Sequence, residues 1–418
     1  MNLLSVALIL LALLALLSII FEEVIHVNKA KTTLFIGCLA WIILFIAAPG
    51  AEQQQEVLHA LNENLLEIAS LWLFLMSTMT FVAYLNAKGM IQSVVQKIFP
   101  SELPVKALLL MVAIFSLVLS AICDNVTATL VSLGLVQAFS VEREVKFKMA
   151  ALVVFSVNSG GVALITGDVT TLMIFLAGHV TMVELVTLLV PSLVSVVLLA
   201  IIFTWGSKGR VSTTPVELTF TRVDVAITAI FFATIVCTMI FNVLFGIPPV
   251  LTFLTGLSLM FLVGRMSVTD SEQTQVLEYI RQIEYDTLLF FLGILLIVGM
   301  LQQIDVLTQL AHWYMLLAPE YANFVAGVVS SILDNVPLTA ALLKANPALD
   351  ERNWLGLTYA VGVGGSLLII GSAAGIIVMS KLEGMTFGRY IRFLPALALS
   401  YSVGYALTLL LAGIVTGT

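Results

Sequence analysis

Two ten-residue segments carry the same polar signature inside apolar sequence. Ser120 to Thr129 reads SAICDNVTAT, and Ser330 to Thr339 reads SSILDNVPLT. The agreement pairs Ser120 with Ser330, Asp124 with Asp334, Asn125 with Asn335 and Thr129 with Thr339, besides one Ile and one Val. Chance explains the Ile and Val. It does not explain Ser-x-x-x-Asp-Asn with a Thr four residues on, because Asp is scarce in such runs. A third acid, Asp168, ends the run NSGGVALITGD that begins at Asn158. An ionisable residue at membrane depth is costly and marks function by default. No Lys or Arg lies inside these runs, so the sequence leaves all three carboxylates unpaired. Unpaired buried carboxylates hold either a proton or a cation. The alternative for each is a protonated Asp bonded to nearby backbone. Ser and Thr hydroxyls, Asp carboxylates and Asn carbonyls are hard oxygen donors, which suit sodium or lithium better than soft metals. Ser120 is placed one helical turn before Asp124, on the same face.

The segments lie in a chain built for lipid. It has 418 residues, 60% hydrophobic and 10% charged, with 18 basic and 25 acidic residues and a net charge of −7. Mean hydropathy is +1.11. Soluble domains run at roughly 25% charged residues, so a water-facing shell is excluded. With no basic run, so is nucleic-acid binding. Cys38, Cys123 and Cys237 form no CxxC pair and are expected as buried thiols. Hydropathy predicts spans at 3–21, 32–48, 65–86, 107–140, 148–178, 181–205, 223–246, 249–264, 285–301, 321–343, 353–380 and 393–415. The first has no basic n-region and no cleavage motif, and reads as an uncleaved span.

Charge orients these spans. Let 107–140 and 321–343 each enter and leave on one side, as re-entrant hairpins. Then all 18 basic residues except Lys344 and Arg352 fall on one face, taken as cytoplasmic. The loop at 49–64 faces outward with Glu52, Glu56 and Glu63, and both termini are external. The first hairpin enters from the cytoplasm and the second from outside.

The flanks repeat as well. Amphipathic stretches at 90–99 and 306–315 precede the hairpins and are expected to lie at the membrane surface. Gly-rich spans follow them. Asn158 to Asp168 matches GVGGSLLIIGS from Gly362 to Ser372, aligning Gly160, Gly161 and Gly167 with Gly364, Gly365 and Gly371. The expected fold is therefore an all-α polytopic membrane protein with inverted repeats, each holding a re-entrant hairpin and a discontinuous Gly-rich helix. Such repeats place a site at the midplane in secondary transporters. The chain divides into N-terminal spans 1–64, a first repeat 65–205, connecting spans 206–284 and a second repeat 285–418. Gly pairs permit unwound backbone, tolerated at depth only inside protein or along a cavity. Asn158, Ser159, Thr170 and Thr171 flank the first break, and Ser366 and Ser372 the second. For Thr170 and Ser366 the alternative is helix packing by small residues. Glu67, Asp224 and Asp286 sit at span ends, where solvation or capping suffices. Glu184 lies just inside a span. The four histidines show no metal spacing.

The two DNV hairpins, the NSGGVALITGD span and the run EYDTLLFFLGILL from Glu284 resemble the NhaD-type sodium/proton antiporters. These are members of the ion transporter superfamily, which also holds arsenite pumps and dicarboxylate transporters. The resemblance covers nearly the whole chain. It implies scaffold and mobile transport parts, a homodimer in a bacterial inner membrane, no cofactor, and sodium, lithium and protons as partners. Dicarboxylate members carry Ser-Asn-Thr at the hairpin tips, where Asp124-Asn125-Val126 and Asp334-Asn335-Val336 stand here. An acid at each tip suits cation–proton exchange and is hostile to a dianion. An arsenite or other anion exporter would need soft or cationic ligands, and none is found. An intramembrane enzyme lacks its signature: Ile165 replaces the first Gly of the GxGD protease motif.

The charge sorting makes a testable statement. Single cysteines placed at Lys97 and Arg143 are expected to react with an impermeant thiol reagent from the same face. Reaction from opposite faces would show that 107–140 crosses the membrane and would remove the inverted repeat.

Overall fold

The computed structural model describes residues 3–20, 28–90, 93, 99, 102–139, 141–206, 209–212, 220–266, 278–314 and 316–416. In hydrocarbon every backbone N–H and C=O must be satisfied within its own segment, which leaves the helix as the default. The chain obeys this. The first helices are α1 (Leu3–Ile20), α2 (Lys29–Ala47) and α3 (Ala51–Ala87). Then come α4 (Val105–Ile122), α5 (Asn125–Ala138), α6 (Arg143–Gly161), α7 (Val169–Leu176), α8 (Met182–Thr187) and α9 (Leu189–Thr204). Next are α10 (Arg222–Phe245), α11 (Pro249–Met266), α12 (Tyr285–Gln303), α13 (Leu307–Tyr314), α14 (Pro319–Ser330) and α15 (Asn335–Ala345). The chain ends with α16 (Glu351–Gly364), α17 (Ala373–Lys381), the short α18 (Phe387–Tyr390) and α19 (Leu394–Thr416). Among the described residues, 7 helical segments are long and apolar enough to cross a membrane. Outward-facing Leu10, Ile46, Ile201, Leu262 and Leu410 are exposed, as on a surface solvated by lipid.

Both DNV segments interrupt a helix. α4 stops at Ile122 and α5 starts at Asn125; α14 stops at Ser330 and α15 starts at Asn335. The Gly-rich spans break too, between α6 and α7 and between α16 and α17. α1, α2, α3, α10, α11 and α12 pack among themselves, with α2 lying along α12. The broken helices pack with α9 and α19, and α4 lies on α6 as α14 lies on α16. α5 reaches α17 and α7 reaches α15, so the two repeats interlock.

Two glycines make these packings possible. A Cβ on Gly160 would stand 2.1 Å from the Leu117 carbonyl oxygen, and one on Gly364 would stand 2.1 Å from that of Gly327. Leu117 precedes Asp124 by the same seven residues that separate Gly327 from Asp334. The close approach therefore occurs at equivalent places in both repeats.

The structure corrects three expectations. The segment 49–64 is no loop: from Ala51 it forms the first turns of α3, because Val57 and Asn64 share a face and are buried, with Asn64 Nδ2 donating to Leu295 O at 3.3 Å. The fold is not strictly all-α, since Glu102–Pro104 and Arg210–Ser212 form a two-stranded antiparallel ribbon. Its register sets Leu103 opposite Val211, both buried. Cys38 faces outward rather than inward. The expected surface helix at 306–315 is α13, but its counterpart at 90–99 lies outside the described residues except Met90, Ser93 and Phe99.

The glycine contact is checkable by thermal denaturation of purified protein. Gly160→Val and Gly364→Val are each expected to cost on the order of 1–3 kcal/mol or more, since a backbone carbonyl cannot yield. Gly134, with nothing within 4 Å of its would-be Cβ, is expected to accept Ala without loss. Equal tolerance at all three positions would refute the packing account.

Candidate functional site

Each helix that restarts after a break begins with a polar N-cap. The cap offsets the orphan N–H groups of a first turn, and a negative charge there sits at the positive end of the helix dipole. Asp124 accepts from Thr127 N at 2.9 Å and from the Thr127 hydroxyl at 2.8 Å. Asp334 accepts from Val336 N at 3.2 Å, and Asp168 from Thr170 N at 3.0 Å. Ser372, aligned with Asp168, caps α17 through Gly375 N. The four break residues are thus helix caps as well as candidate ligands.

The breaks converge on one carboxylate. Asp168 Oδ2 accepts from Asn125 Nδ2 at 2.8 Å and from Asn335 Nδ2 at 3.2 Å. The paired asparagines of the two repeats therefore meet on the acid that has no acidic counterpart. Gly161 leaves room for this, because a Cβ there would lie 2.7 Å from Asn125 Oδ1. That same Oδ1 accepts from the Ser120 hydroxyl at 2.7 Å. The spacing of Ser120 and Asp124 puts them one helical turn apart on one face only where the helix runs through both. α4 ends two residues short of Asp124, so the i, i+4 relation fails and Ser120 orients Asn125 instead.

A cavity of about 290 Å³ opens at these groups. Asp124, Asn125, Asp168, Asp334, Asn335 and Ser372 line it, and Asn28, Lys29, Glu284, Asp286 and Thr287 also reach it. The remaining expected residues lie elsewhere. Asn158 Nδ2 donates to Ser372 Oγ at 2.9 Å across the repeats. Asn158 Oδ1, Ser159 Oγ and Thr170 Oγ1 are buried with no partner in the protein. Thr171 donates to Gly161 O at 3.3 Å. Thr129, Thr339, Ser330 and Ser366 spend their hydroxyl protons on the backbone carbonyls of Asn125, Asn335, Val361 and Val363.

The expectation that Asp334 is unpaired is overturned. Lys29 Nζ lies 3.4 Å from Asp334 Oδ2 and 4.8 Å over the Phe290 ring. Lys29 opens α2 rather than sitting inside an apolar run. It reaches the second DNV segment because α2 packs along α12, which supplies Phe290 and contacts α15. Asn28 caps α2 and donates to Asp286 Oδ2 at 2.7 Å. Glu67, read as a solvated span end, is ion-paired with Lys344. Sequence reasoning missed Lys29, Asn28 and Glu284 as cavity residues. The Glu284-Tyr285-Asp286 start of the second repeat was the available signal. Lys29 gave none, since its depth depends on how α2 and α12 pack.

Apolar spans, interrupted helices and a polar cavity between them define an integral-membrane protein with an internal site, and its relatives are transporters. The chain belongs to the citrate transporter family (CitMHS), which matches residues 16–362, and to the NhaD sodium/proton antiporters. It is 31% identical to the Na(+)/H(+) antiporter NhaD of Vibrio parahaemolyticus over 90% of this chain and 98% of that one. It is 30% identical to sodium/proton antiporter 1 of Arabidopsis thaliana over 93% of this chain and 69% of that one. Its fold is similar to that of the Alcanivorax borkumensis YdaH transporter, with TM-score 0.54, 11% identity and 99% of each chain covered.

Glu284 stands at the cavity mouth, ahead of α12. Although Glu284 is exposed, protein crowding on one side of its carboxyl raises its pKa first, and the Asp124 carboxylate raises it further. It therefore keeps its proton to higher pH than an ordinary glutamate and attracts cations only once that proton leaves. Glu284→Gln is expected to weaken apparent sodium affinity about twofold to threefold in alkaline medium and to change nothing in acid, read from sodium titrations of exchange at two pH values. A loss equal at both values would refute this role.

Proposed function

We infer that the chain exchanges sodium for protons across the membrane, with both cations competing for one set of carboxylates. The observation that carries this is Asp168 Oδ2 held between Asn125 and Asn335, where two interrupted helices and both Gly-rich breaks meet. Asp124, Asp168 and Asp334 supply hard anionic oxygens, and Asn125, Asn335 and Ser372 add neutral ones. Such donors suit sodium, and lithium by the same chemistry. A proton on a carboxylate removes a cation ligand, so the two ions exclude one another. The apparent sodium affinity should fall as pH falls.

The finer architecture belongs to the same reading. The two DNV breaks are tips of re-entrant hairpins entering from opposite faces, in inverted repeats over 65–205 and 285–418. The matching Gly160–Leu117 and Gly364–Gly327 approaches support this. The helices of 1–64 and 206–284 act as scaffold. The hairpins with their Gly-rich helices carry the site from face to face. The working unit is a homodimer in a bacterial inner membrane, with both termini external.

The family's description raises citrate as a second substrate class. The cavity weighs against it: Asp124, Asp168, Glu284, Asp286 and Asp334 line it, with Lys29 as the basic group among the described residues. A multiply charged anion would meet repulsion throughout.

Sodium-driven proton movement in everted vesicles tests the reading. Asp168→Asn, Asp124→Asn and Asp334→Asn are each expected to abolish coupled exchange while inserting normally. The double hairpin mutant should lose nothing more, because both sites serve one cycle. Wild-type exchange with an unaltered pH profile in all three variants would rule out these carboxylates as the coupling groups.

A further inference from the structure

Lys29 is held in place from several directions. Its backbone opens a helix capped by Asn28, whose Oδ1 accepts from Ala30 N at 3.0 Å and Lys31 N at 3.3 Å. The Asn28 amide is in turn tied to Asp286. The Lys29 side chain runs into the cavity and places its ammonium 3.4 Å from Asp334 Oδ2, over the face of buried Phe290. The side chains of Lys29 and Asp334 are 18% and 7% exposed, so water screens this pair less than it does a surface ion pair. Asp124, Asp168, Glu284 and Asp286 also line the cavity into which the ammonium projects.

A lysine ammonium is a hard monovalent cation on a tether. It binds a carboxylate oxygen much as a sodium ion does, as a point charge at ion-contact distance. Two cations cannot share Asp334 Oδ2 at such distances without strong mutual repulsion in a partly desolvated site. The ammonium and a transported cation are therefore alternatives at Asp334. The pair also joins two packing groups, since Lys29 belongs to α2 and Asp334 to the break before α15.

We propose that Lys29 is a built-in competitor for the transported cation, occupying Asp334 in the unloaded carrier and leaving it when sodium binds. This rests on the sodium/proton reading above. It adds what sodium must displace and what holds the unloaded carrier together across α2 and α15. An exchanger needs such a hold, because a carrier that reorients unloaded lets sodium run downhill with no proton returned.

Equilibrium binding of radiolabelled sodium to the purified full chain at alkaline pH tests the proposal. Lys29→Gln is expected to bind sodium roughly tenfold more tightly than wild type, the scale of one charge-assisted hydrogen bond. Lys29→Arg keeps a competing cation and is expected to stay near wild-type affinity. Phe290→Leu removes the ring beneath the ammonium and should shift affinity in the same direction by less, which covers the case in which Lys29→Gln does not fold. In an Asp334→Asn background, Lys29→Gln should give no further gain. Unchanged or weaker sodium binding in both Lys29→Gln and Phe290→Leu would overturn the proposal while leaving sodium exchange standing. Absence of sodium binding to wild type would remove the sodium reading itself, and this proposal with it.

Discussion

A carboxylate taken out of water must be given charge or hydrogen bonds in return, and the centre of this protein is arranged around that requirement at Asp168. One of its oxygens accepts from the amides of Asn125 and Asn335, and the other from Thr170 N. Those donors come from three different breaks in helical structure. Placing them together requires α4 and α14 to stop short, α6 to unwind, and backbones to approach at Gly160 and Gly364. The interrupted helices, the glycines and the interlocking of α5 with α17 and α7 with α15 all answer to that meeting point.

The same constraint explains why Asp124, Asp334, Asp168 and Ser372 both cap helices and line the cavity. A helix that begins inside a membrane exposes N–H groups with no water to satisfy them. A short polar side chain at the cap supplies acceptors, and a carboxylate there also meets the positive end of the dipole. Under the proposed function, ion ligation and helix initiation use the same residues. This suits a site that must hold charge at one stage of a cycle and do without the transported cation at another.

Charge along the cavity is uneven. Glu284 and Asp286 stand exposed at its mouth, while Asp168 and Asp334 are buried within it. Lys29 sets its ammonium against that acid wall, beside Asp334 in the second DNV segment rather than Asp124 in the first. The two DNV segments are equal in sequence but not in surroundings, since Asp124 is held by Thr127 and Asp334 by Lys29. The position of Thr127 is a proline, Pro337, in the second segment, so the local hydroxyl that serves Asp124 has no counterpart there.

Much of this was legible in the sequence because hydropathy and the duplicated segment depend on composition and order alone. The span positions, the two DNV interruptions, the Gly-rich breaks and the candidacy of Asp124, Asp168 and Asp334 follow from apolar run length and from polar residues that lipid does not tolerate. What the tertiary structure alone decided is which donors share an oxygen. The convergence of Asn125 and Asn335 on Asp168, the diversion of Ser120 to Asn125, and the retreat of Thr129, Thr339, Ser330 and Ser366 onto backbone carbonyls depend on where each helix stops. The Lys29–Asp334 pair depends on packing between elements 305 positions apart. Periodicity records which face of a helix is apolar; it does not record which distant element that face meets, so a lysine at a span boundary reads as solvated until α2 is seen lying along α12.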